Sequence, residues 1–117
     1  MPDPLKVLFV CGRNRWRSPT AKRIYRDDAR LAVRSAGVSS KGDHELSDAD
    51  LDWADLVLVM ERRYVTRIRA NFSGRPELPR IESLDIPDEF GYMDPELITL
   101  IRSSAEPYFV NSKPNKS

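Results

Sequence analysis

Lys6-Val7-Leu8-Phe9-Val10-Cys11-Gly12-Arg13-Asn14-Arg15-Trp16-Arg17-Ser18-Pro19-Thr20-Ala21 is the stretch from which the architecture of this chain can be read. Lys6 to Val10 is a short apolar run with β-branched members, the pattern of a buried strand. Pro19 opens a helical segment, Pro19 to Arg30, at the position where a helix tolerates proline best. The residues between them form a strand-to-helix loop. Five residues separate Cys11, the sole cysteine of the chain, from Arg17. That number lets the backbone curl so that its N–H groups converge, while the helix beginning near Ser18 aims its partial positive end at the same point.

Such a hollow suits a dianion. Arg17 can grip two oxygens of a phosphoryl group through its planar fork, and positive surroundings favour the thiolate form of Cys11, which makes it a nucleophile. The bland alternative is a buried cysteine that ends a core strand, with Arg17 solvated in a first turn. Arg13, Arg15 and Arg17 fall within five residues, a density badly suited to burial without an anion, so the functional reading is preferred.

Outward from this loop the chain alternates strands and helices. Helix one turns Ala21, Ile24, Tyr25 and Ala29 inward. Strand two is Ala32 to Ser35, ending at Gly37. Ser47-Asp48-Ala49-Asp50 carries an N-cap with an acidic third position and opens a short helix through Trp53. Leu56 to Met60 is strand three, Arg62 to Asn71 a basic helix with Tyr64, Val65 and Ile68 inward, and Ile81 to Leu84 strand four. Asp94-Pro95-Glu96 starts the last helix, with Leu97, Leu100, Ile101 and Ala105 inward. This order predicts an α/β fold: one three-layer domain over residues 1–117, with a four-stranded parallel sheet, helices on both faces, and the phosphate-binding loop after strand one. The polar stretch 111–117 reads as a frayed tail. Ligands of such sheets bind at the carboxyl ends of the strands, where Cys11 and the loop after Leu84 both fall.

At 117 residues with 40% hydrophobic content, the chain can bury one core and not two. Its net charge of +1 makes no global case for nucleic acid, and its arginines are interspersed with acids rather than arrayed along one face. No apolar run reaches membrane-spanning length, and Met1-Pro2-Asp3-Pro4 lacks the pattern of a secretory signal. The expectation is a cytoplasmic protein without nucleic-acid or membrane partners, in a compartment where a lone cysteine stays reduced. His44 has no nearby cysteine or second histidine, so neither a metal site nor a cofactor is expected. Oligomeric state is not written in the sequence.

Cleaving a phosphate ester also needs a carboxylic acid to protonate the leaving oxygen. Asp94 is occupied as an N-cap. Asp85, at a strand end, and Asp88, after Pro87 in a loop, stay open as candidates, with Asp88 free of competing duties. Trp16, Phe90 and Tyr92 offer flat apolar faces for an aromatic ring, though Phe90 and Tyr92 serve equally well as packing beneath the loop. Arg13 and Arg15 favour acidic groups near the phosphate.

The segment Val7 to Ala21, VLFVCGRNRWRSPTA, resembles the phosphate-binding loop of the low-molecular-weight protein tyrosine phosphatases. Asp85 to Tyr92 is similar to that family's acid loop, and Val33 to Val38 and Ala54 to Glu61 resemble its second and third strand regions. The resemblance implies a phosphomonoester hydrolase, specifically a protein tyrosine phosphatase, acting on a phosphorylated protein or small phosphoester through a phosphocysteine intermediate. By position it implies Cys11 as nucleophile, Arg17 as phosphate clamp and Asp88 as general acid, with Asn14 shaping the loop and Ser18 a hydroxyl partner of the thiolate. Gly12, Arg13, Asn14, Arg15, Trp16 and Ser18 make up the substrate-binding set. Arg13 departs from the family's usual glycine, with Gly12 one position earlier. Trp16 stands where many members carry a second cysteine, so oxidised Cys11 has no neighbouring thiol to trap it as a disulfide. The chain is also shorter than the family norm, mainly between Glu61 and Arg80 and after Val38.

Two other classes compete. A non-catalytic phosphate-binding module of the same fold would hold an anion without turnover. An arsenate reductase would need an external thiol, because one cysteine cannot run an internal disulfide relay.

Overall fold

A strand whose successive residues are all apolar needs cover on both faces, and β1 (Leu5–Cys11) has it over Val7 to Val10, which are fully buried in the computed structural model while Lys6 is exposed. The structure describes residues 3–13, 15–40, 42 and 44–110. Asn14 and the tail 111–117 lie outside the described residues. β1 pairs in parallel with β2 (Leu31–Gly37) on one side and β3 (Leu56–Val59) on the other, and β3 pairs in parallel with β4 (Arg80–Ser83). The four-stranded order is therefore β2-β1-β3-β4.

That order sets the layers. The crossover from β1 to β2, through α1 (Arg17–Tyr25), and the crossover from β3 to β4, through α3 (Arg62–Asn71), run in opposite directions across the sheet. The right-handed rule for such crossovers places their helices on opposite faces. α1 packs on β1 and β2 beside the last helix, α4 (Pro95–Val110), and α3 packs on β3 and β4. The α1/α4 side is filled by aromatic rings: Tyr25 stacks over Phe9 at 6.1 Å and meets Phe109 edge-on at 5.0 Å. Each buried side chain of this size contributes about 2 kcal/mol.

The expected capping box is present. Ser47 accepts from the Asp50 backbone N–H, and Asp50 accepts from the Ser47 N–H, opening α2 (Asp48–Trp53). Asp94 accepts from the Glu96 N–H at 2.9 Å and caps α4, whose Leu97, Ile101 and Ala105 are fully buried while Leu100 is half-buried.

Helix one departs from expectation. It ends at Tyr25 rather than Arg30, and Ala29 is exposed. Asp28 accepts both the backbone N–H and the Nε–H of Arg30, a local turn that competes with continued helix. The turn is tied down further by Glu106 of α4, which accepts from Arg30 and from the Tyr25 hydroxyl.

Candidate functional site

Sheet order also determines where a crevice opens. The chain leaves β1 toward one face and β3, its neighbour, toward the other, so the loops after these two strands diverge at their carboxyl ends. A hollow of about 410 Å³ lies there. From the first loop it is lined by Cys11, Gly12, Arg13, Arg15, Trp16 and Arg17. Arg63, Tyr64 and Arg67 of α3 form the opposite wall, with Asp88 at the edge. The volume is within the range of sites that enclose small ligands.

Cys11 is the last residue of β1 and is buried, its Sγ 2.9 Å from the Oγ of fully buried Ser18. Ser18 belongs to the first turn of α1, so the loop brings its hydroxyl back to the sulfur that precedes it by seven residues. Arg17 is 3% exposed. Its Nη1 donates to Glu61 Oε2 at 2.6 Å and to the Ile86 carbonyl at 2.8 Å, and its Nη2 donates to the Tyr64 hydroxyl at 3.2 Å. A guanidinium carries five N–H groups. Among the described residues these three bonds leave the Nε–H and one Nη2–H, which share the edge suited to two oxygens of one phosphoryl group. Burial favours a neutral guanidine, yet the bonds to Glu61 and Tyr64 outweigh it and hold the Arg17 pKa above its ordinary value.

Asp88 stands mostly in solvent, with Oδ1 3.7 Å from Arg17 Nε. Asp85 is turned to other work: it accepts from Arg62 at 2.9 Å and from the Ser83 hydroxyl at 2.6 Å, and it does not line the hollow. Trp16 is 45% exposed on the rim, while its carbonyl accepts from the backbone and hydroxyl of Thr20. Gly12 packs against α3, where an added Cβ would sit 3.0 Å from the Tyr64 hydroxyl. Asn14, expected to shape the loop, is outside the described residues.

The aromatic wall differs from expectation. Phe90 is half-buried against the core and Tyr92 is 52% exposed, and neither lines the hollow. Tyr64 does, so the side chain read as core from its helical spacing is buried yet directs its hydroxyl into the site. Glu61 is not among the candidates the sequence offers. It bridges Arg17 through Oε2 and Arg63 through Oε1, at 2.6 and 2.8 Å. An acid directly after an apolar strand that adjoins the cysteine strand was the available signal, but it becomes readable only once strand order is known. Burial opposes ionisation of Glu61; the bonds from Arg17 and Arg63 prevail and hold its carboxyl below the ordinary glutamate value. Among the described residues, no group of three or more His, Cys, Asp or Glu side chains could hold a metal ion, and no helix is long and apolar enough to cross a membrane.

With this geometry, the chain has the fold of the low-molecular-weight protein tyrosine phosphatases. No family model matches the sequence and no curated protein matches it, so the likeness is one of structure. The YwlE arginine phosphatase from Geobacillus stearothermophilus superposes with a TM-score of 0.70 at 26% identity, covering 92% of this chain and 95% of that one. SP-PTP, a low-molecular-weight protein tyrosine phosphatase from Streptococcus pyogenes, gives 0.67 at 20% identity, covering 92% of both chains. The tyrosine phosphatase Wzb from Escherichia coli K30, solved in complex with phosphate, gives 0.67 at 19% identity, with 95% and 99% covered.

Proposed function

We propose that this chain is a cysteine-dependent phosphomonoester hydrolase that acts on phosphotyrosyl protein. The observation that carries the reading is a single hollow lined at once by Cys11, Arg17 and Asp88, with the Nε–H and one Nη2–H of Arg17 left over by its three hydrogen bonds. Phosphatases of the same fold support it.

The reaction has two steps. The Cys11 thiolate attacks phosphorus in line while Arg17 and the loop amides hold the equatorial oxygens. An S–P bond forms, the P–O bond to the leaving group breaks, and Asp88 gives its proton to the departing phenolate oxygen. Water then attacks the phosphocysteine, Asp88 takes the proton back, and inorganic phosphate leaves as the thiolate returns. Ser18 donates to the sulfur when it carries charge, and Asn14 and Gly12 shape the loop. A thiolate nucleophile of this kind functions in a reducing compartment, the cytoplasm.

Hydrolysis of p-nitrophenyl phosphate tests the reading. Turnover is expected, falling by about a thousandfold or more in Cys11→Ser, with vanadate still bound by the variant. Vanadate binding without turnover by the unaltered protein would instead identify a phosphate-binding module.

A further inference from the structure

We propose that Arg63 and Arg67 of α3, together with Arg13 and Arg15 of the loop, form a second anion subsite. It selects an acidic phosphotyrosyl segment as substrate and rejects phosphoarginine. The inference rests on the phosphatase reading above and deepens it.

The chain as a whole is close to neutral, at +1, yet among the described residues the hollow is lined by five arginines and one carboxylate. Glu61 is spent, with one oxygen on Arg17 and the other on Arg63. Asp88 lies nearest Arg17. Arg13, Arg15 and Arg67 make no ion pair among the described residues, which leaves a cationic rim around the mouth. Arg63 and Arg67 are four residues apart and so stand one above the other on α3. The rim therefore runs away from Arg17 along the helix, past the phosphoryl group and out to whatever flanks it. Guanidinium forks match carboxylates and phosphates, and within a Debye length of about 8 Å their fields reinforce one another.

The same charges decide between two kinds of phosphorylated side chain. A phosphotyrosine ring is uncharged and can lie against Tyr64 and Trp16. A phosphoarginine keeps a cationic guanidinium beside its phosphoryl group, and that cation would enter a slot of arginines. Among the described residues the one carboxylate lining the slot, Asp88, is committed in the proposed reaction to the leaving group.

The test is fluorescence polarisation of labelled peptides on Cys11→Ser protein, which reads recognition whether or not the unaltered protein turns over. Three phosphotyrosine peptides are compared, flanked by glutamates, by serines, or by a second phosphotyrosine, alongside a phosphoarginine peptide with serine flanks. The glutamate-flanked peptide should bind roughly three- to tenfold tighter than the serine-flanked one. That ratio should collapse toward one in the Arg63→Ser/Arg67→Ser variant and, without any substitution, at high salt. A larger gain for the doubly phosphorylated peptide than for the acidic one identifies a second phosphate as the better occupant of the same subsite. Equal binding of glutamate- and serine-flanked peptides, or phosphoarginine binding as tight as phosphotyrosine in the same flanks, overturns the proposal. In either case Cys11-dependent hydrolysis of p-nitrophenyl phosphate, which needs no flanking residue, shows separately whether the phosphatase reading stands.

Discussion

Glu61 shows how much of the site's geometry can depend on one carboxylate outside the reaction. Its two oxygens fix Arg17 and Arg63 at once, and Tyr64 completes the knot by donating to Glu61 at 3.2 Å while accepting from Arg17. In the proposed reaction Glu61 is thus a positioning residue: it touches Arg17 and not the phosphate. Glu61→Gln keeps the shape but sets an amide donor against a guanidinium. We expect kcat/KM for p-nitrophenyl phosphate to fall by about 10- to 100-fold, with kcat falling more than KM rises because in the proposed reaction Arg17 grips oxygens whose charge develops in the transition state. Partial recovery in Glu61→Asp is expected, and equal loss in both would point to misfolding. The pH dependence follows from the sign of the shift. A carboxyl held below its unfolded value stabilises the fold fully above about pH 4.3, and that contribution is lost as pH falls through its lower folded value. The gap in urea midpoint between the unaltered protein and Glu61→Gln should therefore be constant from neutrality to about pH 5 and shrink in stronger acid. A gap that widens on acidification would reverse the assignment.

At the scale of elements, the loop after β2 rides on the loop after β1. Val38 donates its N–H to the Cys11 carbonyl at 3.0 Å, Ser39 to the Gly12 carbonyl at 2.8 Å, and a Cβ at Gly42 would run into the Arg13 backbone. Gly42→Ala must push one loop off the other, at a cost of about 1 to 3 kcal/mol. It should lower the thermal midpoint and cut kcat/KM by about tenfold or more. Gly74→Ala, where an added Cβ meets nothing within 4 Å, is the control and should change neither. Unchanged activity in Gly42→Ala would mean that the two loops move independently. This close approach was not legible in the sequence, because it joins residues 29 positions apart whose meeting depends on strand pairing. Local signals were legible: the Ser47/Asp50 capping box, the Asp94 cap and the all-apolar run of β1 each have their cause within a few residues. The end of α1 was not legible, because Asp28 and Arg30 supply a side-chain turn that hydrophobic spacing does not record.

For the whole molecule, the alternation of strands and helices was enough to give the parallel sheet and the end of it at which the hollow opens. What remained hidden was the order β2-β1-β3-β4, and with it the knowledge that β3 lies beside the cysteine strand. Without that adjacency, Glu61, Arg63 and Arg67 read as the solvated start of a basic helix and Tyr64 as core. Bulk charge was equally silent, since a chain of +1 overall conceals a rim of arginines that only the folded sheet assembles. The proposed reaction requires that the loop after β1 make Cys11 a nucleophile toward phosphorus. Brief incubation with p-nitrophenyl phosphate, acid quenching and peptide mass spectrometry test this directly. A phosphoryl group on the peptide containing Cys11, absent in Cys11→Ser, is the predicted result. Turnover with no phosphoryl group on Cys11, or turnover that survives in Cys11→Ser, would contradict it.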